Sequence, residues 1–318
     1  MNRIIAVAFL FLSLSACFPK KQSMGESKNA SAVQKDTMIS ANLYSDPKRY
    51  AEIQSNFREN NPGYNLEFFL QTNHIEPAQQ PRIVFVQKGG GTASIQESEH
   101  SKISVGDIIL LDPENQLKVD SLVDLLVFTT PSAPPDSIPR FVRPDWDMNI
   151  TDIPGGCATE NNAYRRILLT WLGHVGKYLY QSLNAHRVRI TDSFTHYHPK
   201  NHGFDEFYLV QMVQPGAAII TGNRHDLIEN PDLIDEAVAK NLLQKTELKV
   251  GDLVYLPRGV VHRGVGGVLA QVITIPGFIP GAEIGVDHHL KNINQQFNLT
   301  GKDSLPYYAL GGDTILIK

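Results

Sequence analysis

Four side chains in the second half of the chain have the types and spacing to hold a divalent cation. They are His196 and His198, Glu206, and His262. Alternate residues of a strand share a face, so His196 and His198 can point the same way. Glu206 opens the apolar run Phe207-Tyr208-Leu209-Val210, and His262 closes Gly251-Asp252-Leu253-Val254-Tyr255-Leu256-Pro257-Arg258-Gly259-Val260-Val261-His262. Neighbouring strands can therefore complete the set. Three neutral imidazoles and one carboxylate suit one first-row divalent transition metal, and Fe, Mn, Ni, Cu, Co and Zn all fit these ligand types. If four protein ligands bind one octahedral ion, two positions remain for water, substrate or dioxygen. His202 lies between His198 and Glu206 and could replace Glu206 as a ligand. Tyr197, His202 and Arg263 adjoin the ligands and are candidates to support them. Arg263 could bind an anionic substrate or simply face solvent.

These residues need strands to carry them. Short β-type runs recur along the chain: 83–86, 108–111, 125–128, 167–169, 207–210, 253–256 and 272–275. Gly and Pro turns bound most of them, the pattern of an all-β sandwich or barrel. One helix is expected from Asn230, with Asn230 as cap, Pro231 at its first position and an apolar stripe from Leu233 to Leu242. An internal repeat organises the strands. Residues 103–113 (ISVGDIILLDP) match 248–258 (LKVGDLVYLPR) at an offset of 145, and 128–131 fall on 273–276 at the same offset. Upstream, 72–87 run beside 196–211 at an offset of 124, so the second copy carries an insertion of 145 − 124 = 21 residues, where the Asn230 helix lies. In the first copy Thr72 stands for His196, His74 for His198, Arg82 for Glu206 and Leu117 for His262. A leucine and a guanidinium cannot hold a divalent cation, so the first copy should be metal-free.

The pair H-x-H followed by Glu, and G-D-x-x-x-x-P-x-G-x-x-H complete from Gly251 to His262, resembles the two motifs of the cupin superfamily. The resemblance covers about residues 190–280 and extends through the repeat back to about residue 66. Seven residues separate His198 from Glu206, where three or four are common in cupins. The resemblance implies an all-β fold of two cupin-type barrels (double-stranded β-helix, or jelly-roll) in tandem, with one short helical insertion in the second. It also implies one metal, held by His196, His198, Glu206 and His262, with Glu206 as possible proton acceptor. The function it suggests is a metal-dependent oxidoreductase resembling two-barrel dioxygenases, acting on a small enol, catechol or carboxylate substrate. The alternative is a non-catalytic ligand-binding or sensing protein with a structural metal. An isomerase of phosphorylated sugars ranks third, since no basic phosphate site is visible.

The chain ends set the compartment. Arg3, the apolar run Ile4–Leu14 and Leu14-Ser15-Ala16-Cys17 read as a signal peptide over 1–16 and lipidation at Cys17. Lipid at Cys17 would anchor the chain to a membrane without a spanning helix. Phe18 rather than Asp follows, which by analogy favours the outer membrane, facing the periplasm. Residues 17–40 read as a polar tether, 41–135 as the first barrel, 136–160 as a Pro-rich connection and 161–318 as the metal-binding barrel. With Cys17 lipidated, Cys157 stands alone and reads as a small apolar residue. The net charge of −4 argues against nucleic acid as partner. A small-molecule substrate is expected instead.

Overall fold

Alternation of side chains along each strand explains how two barrels form and meet. The computed structural model describes residues 37–96, 99–150 and 163–318. The expected signal peptide, Cys17, most of the tether and Cys157 lie outside the described residues. The first sheet has seven strands: β2 (Asn65–Ile75), β3 (Arg82–Lys88), β4 (Gly91–Ile95), β5 (Glu99–Ile103), β6 (Ile108–Leu111), β7 (Leu117–Thr129) and β8 (Phe141–Val142). Its order is β5-β4-β7-β3-β6-β8, with β2 also on β7. The second sheet has ten strands: β1 (Ile39–Asn42), β9 (Arg165–Leu169), β10 (Asn184–Asp192), β11 (His196–Tyr197), β12 (Asp205–Val213), β13 (Ala218–Gly222), β14 (Gln244–Glu247), β15 (Asp252–Leu256), β16 (Val261–Ile275) and β17 (Ile284–Gly285). Its main path is β1-β15-β12-β16-β10-β9. All the ladders are antiparallel.

The central strands are buried on both faces and so read as continuous apolar runs. On β3, Val84 and Val86 fill the first barrel, while Ile83 and Phe85 face the second. On β12, Tyr208 and Val210 fill the second barrel, and Phe207 and Leu209 face the first. Phe128 of β7 and Ile273 of β16 join the same shared layer. Helix α1 (Pro47–Asn60) plugs it. Its Phe57 meets Phe128, Phe207 and Tyr255 edge-on at 5.8, 5.1 and 6.2 Å between ring centroids.

The duplication is visible in the ladders. Arg82 lies opposite Leu111 and Thr129, and Glu206 lies opposite Leu256 and Thr274. Both Val-Gly-Asp turns are built alike. Gly106 and Gly251 take φ of +100° and +88°, which glycine adopts at little steric cost. Asp107 accepts from the Ser104 N–H and Asp252 from the Lys249 N–H, both at 2.8 Å. One detail of the repeat is corrected. Ile75, not Thr72, lies opposite Leu117, as His196 lies opposite His262. The offset is thus 196 − 75 = 121 before the loop 199–203 and 206 − 82 = 124 after it, so that loop is three residues longer in the second copy. Ile75 and Leu117 are buried and apolar, and the Arg82 guanidinium donates to the Glu76 and Asn115 carbonyls at 2.6 and 2.8 Å. His74 is 30% exposed and pairs with Glu76.

Four features differ from expectation. Residues 39–40, expected as tether, and 41–42, expected in the first barrel, form β1, which pairs with β15 of the second sheet. The connection 136–160 contains β8, which pairs with β6 of the first sheet. Helix α1 has no counterpart in the sequence reading. In place of one helix from Asn230, the segment between β13 and β14 carries α2 (His225–Glu229), which ends before Asn230, then a 3-10 turn (Pro231–Leu233) and the short α3 (Glu236–Ala239). Pro231 disfavours helical backbone at Asn230, whose side chain instead donates back to the Asp226 carbonyl of α2 at 2.8 Å. Asp235 is the true cap and accepts from the Val238 N–H at 2.9 Å. A further helix, α4 (Asp287–Gln296), packs Leu290 and Ile293 with Ile228 and Val261 on the outside of the second barrel. Among the described residues no helix is long and apolar enough to cross a membrane.

Candidate metal centre

Strand β11 places His196 between two neighbours: His196 lies opposite His262 of β16 on one side and Gly285 of β17 on the other. His198 follows one residue beyond Tyr197, on the same face as His196. Gly259, at φ +89°, donates its N–H to the His198 carbonyl at 2.7 Å. This bond ties the two halves of the motif and gives its glycine a physical role. Glu206 is set by its neighbour Asp205, a fully buried carboxylate. Asp205 accepts from Asn61 (2.6 Å), Tyr255 (2.7 Å) and the Arg258 N–H (3.1 Å).

The three imidazoles converge. One ligand atom from each of His196, His198 and His262 lies within 4.8 Å of the others, and all three residues are buried. His196 Nδ1 bonds to the Phe194 carbonyl at 3.1 Å and His262 Nδ1 to the Val260 carbonyl at 3.0 Å. His198 makes the corresponding backbone bond to Phe204. With Nδ1 donating, each Nε2 keeps its lone pair, as metal-bound imidazoles require. All three Nε2 atoms are buried without a hydrogen-bond partner. The Glu206 carboxylate adjoins this set, 3.5 Å from His262 Nε2 and 3.9 Å from His198 Nε2. Donors at roughly 2.1 Å from one ion lie about 3 to 4.2 Å apart, so these separations are on the right scale. The residues present therefore fit one divalent ion. Burial and the neighbouring His262 imidazole hold His196 and His198 well below the usual histidine range. Burial also opposes charge on His262, but the adjacent Glu206 carboxylate outweighs it and raises that pKa.

A second carboxylate, which the motifs do not reveal, stands at the same site. Glu283 Oε1 lies 3.7 Å from His196 Nε2. Burial and the Glu206 charge push its pKa up to about 7. Glu283 precedes β17 by sequence and reaches the histidines because β17 pairs with β11. No spacing rule marks it. His196, Glu206 and Glu283 open onto a cavity of 350 Å³, which Arg165, Trp171, Phe194, Tyr208, Phe278 and Lys318 also line. Trp171 is thus a cavity wall, whereas Tyr178 and Tyr180 are core.

The three supporting candidates stand elsewhere. His202 is exposed at φ +67° in the loop 199–203 and is not part of the histidine group, so it does not replace Glu206. Tyr197 points to the other face of β11, where it stacks on His225 at 4.4 Å and donates to Glu229 at 2.7 Å. Arg263 alternates outward from His262 and donates twice to Asp192, at 3.1 and 2.6 Å, so it is absent from the cavity lining. His288 and His289 lie on α4.

No protein-family model matches the chain, and no curated protein matches it by sequence. Solved structures do. Oxalate decarboxylase from Bacillus subtilis is similar at 11% identity and a TM-score of 0.46, over 88% of this chain and 84% of that one. Salicylate 1,2-dioxygenase from Pseudaminobacter salicylatoxidans is similar at 12% and 0.43, over 67% and 70%. AerE from Microcystis aeruginosa is similar at 10% and 0.42, over 67% and 86%. The two-part motif, the paired turns and the duplicated ladders carry the structural assignment by themselves: the architecture is that of a two-barrel cupin, with a three-histidine group in the second barrel that could bind one metal ion.

Proposed function

We propose that the chain is a metal-dependent oxidoreductase of dioxygenase type, acting on a small enol, catechol or carboxylate in the cell envelope. One observation carries this reading. Three buried imidazole nitrogens without hydrogen-bond partners converge beside a carboxylate, and His196 and Glu206 of this group line a cavity large enough for a small organic molecule. His196, His198 and His262 would hold the ion, and Glu206 would complete the set and accept a proton from the substrate. A bound divalent ion would supply Lewis acidity and an electron-transfer route between an oxygen-ligated substrate and dioxygen. The largely apolar cavity wall would limit the water that reaches the reacting atoms. Lipid at Cys17 would anchor the chain in the outer membrane, facing the periplasm. That placement rests on the leader residues, and incorporation of labelled fatty acid that Cys17→Ser abolishes is the expected outcome.

Elemental analysis of the purified protein tests the reading, followed by oxygen uptake with catechols, flavonols and oxalate. The expected result is about one transition-metal ion per chain and oxygen consumption with at least one class. A folded chain that stays empty when supplied with metal ends the proposal. A second reading, a ligand-binding protein with a structural metal, is favoured by the largely apolar cavity lining. It would be upheld by a metal-replete chain that binds ligand and consumes no oxygen.

A further inference from the structure

The cavity beside the histidines has two unlike parts. One wall is aromatic. Trp171 stacks on Phe278 at 4.0 Å, Phe278 lies 5.2 Å from Phe204, and Phe204 lies 3.8 Å from the His198 ring. Phe194 stacks on His196 at 4.3 Å. The other part is cationic. Lys318 Nζ sits 4.5 Å from the Phe194 ring centroid, and Arg165 joins it in the lining. Backbone bonds hold Lys318 in place: it exchanges two N–H···O bonds with Glu283, both 3.1 Å, and accepts a third from Gly281 at 2.9 Å. The carboxylates of the lining are Glu206 and Glu283; both lie against histidines of the site, and Glu283 also feels the charges of Lys318 and Arg165. With a divalent ion in place, two carboxylates face two side-chain cations and a dication. That leaves a positive surplus in a water-poor cavity, where an anion is strongly favoured.

We propose that this cavity binds a planar apolar carboxylate, its ring along Trp171 and Phe278 and its carboxylate on Lys318 and Arg165. The inference rests on the metal reading for the charge surplus and names the substrate class of that same site. The size agrees. The cavity of 350 Å³ is roughly twice the ~150 Å³ that accommodates benzene, so it suits one substituted ring or two fused rings. Lys318 is the specificity-determining residue, since it brings a cation to the aromatic wall, 4.5 Å from the Phe194 ring centroid.

Calorimetry with the metal-loaded full chain tests this, using 2-naphthoate, its neutral counterpart 2-naphthamide, and oxalate as probes. Naphthoate should bind at least roughly tenfold tighter than the amide. Lys318→Gln should bring the two near parity at unchanged metal content, and Lys318→Arg should restore the preference. Trp171→Ala should weaken both ring compounds alike. Lys318 is anchored through its backbone, so its side-chain change leaves those bonds intact. Equal affinity for acid and amide overturns the proposal. So does a preference that survives Lys318→Gln, which assigns the carboxylate to the metal alone, and so does oxalate binding tighter than naphthoate. Metal is assayed in every sample. A metal-free chain that still prefers the acid through Lys318 upholds this subsite while ending the oxidoreductase reading, and a loaded chain without the preference does the reverse.

Discussion

The three imidazoles are oriented by backbone carbonyls, which makes their roles separable by single substitutions. Each Nδ1 is spent on a carbonyl and each Nε2 is left toward the others. Removing one of three converging donors leaves too few ligands for a closed grip. His262→Ala, and His196→Ala combined with His198→Ala, should therefore each abolish tight metal binding, measured as metal retained through gel filtration. His74→Ala and His202→Ala should leave metal content unchanged. His74 lies on the surface of the first barrel and His202 at an exposed loop tip. Loss of metal in either of these, or its full retention in the first two, would contradict the assignment. The histidines were legible because strand alternation and a fixed turn impose their spacing. Glu283 was not, because its position depends on how β17 docks beside β11, a tertiary event with no local periodicity. Arg263 misled for a related reason: it adjoins His262 in the chain, and alternation sends it to the opposite face.

Strands proved more legible than helices, and the cause is visible in individual elements. Runs such as Ile108–Leu111 are buried on every side chain, and their composition alone marks them. Helix α1 buries only Ile53 and Phe57 among its fourteen residues, so its apolar signal is thin although its packing is central. In the region after Asn230, apolar spacing promised one helix, but Pro231 stops α2 and Leu233 stays 73% exposed. Apolar periodicity there did not mark one helical face, since Leu233 and Val238 are exposed while Ala239 and Leu242 are buried. These differences make opposite stability predictions. Phe57→Ala removes a fully buried ring from the layer between the barrels and should cost about 3–5 kcal/mol. Leu233→Ala should change stability by less than about 0.5 kcal/mol. Urea unfolding of the two variants checks both. Asp205→Ala belongs with the first. It strands the Asn61, Tyr255 and Arg258 donors in a buried site, and a loss of about 2–4 kcal/mol is expected. A midpoint unchanged from the parent protein would show that this network does not join α1 to the metal barrel.

At the scale of the whole molecule, the first barrel acts as a partner rather than a second site. Arg82 occupies the place of Glu206 and is satisfied by carbonyls, and Ile75 and Leu117 fill the places of two histidines. Its outward residues Ile83, Phe85 and Phe128 share one apolar layer with Phe207, Leu209, Ile273 and Ile275 of the metal barrel. The chain also crosses between the units twice: β1 starts in the second sheet before α1 leads into the first, and β8 closes on the first sheet after the last long strand. Duplication was readable from the Val-Gly-Asp turns, but this interlocking was not, since β1 carries no motif and its partner β15 lies about two hundred residues away. An exposed apolar layer of that kind drives association in water. Residues 163–318 produced alone should therefore be aggregated or poorly folded, as judged by light scattering and the dispersion of amide proton signals. Supplying residues 37–150 as a separate chain should restore a soluble complex with metal affinity close to that of the intact protein. A well-folded, metal-binding fragment 163–318 on its own would mean that the shared layer is dispensable, and that the degenerate barrel is retained for something other than covering it.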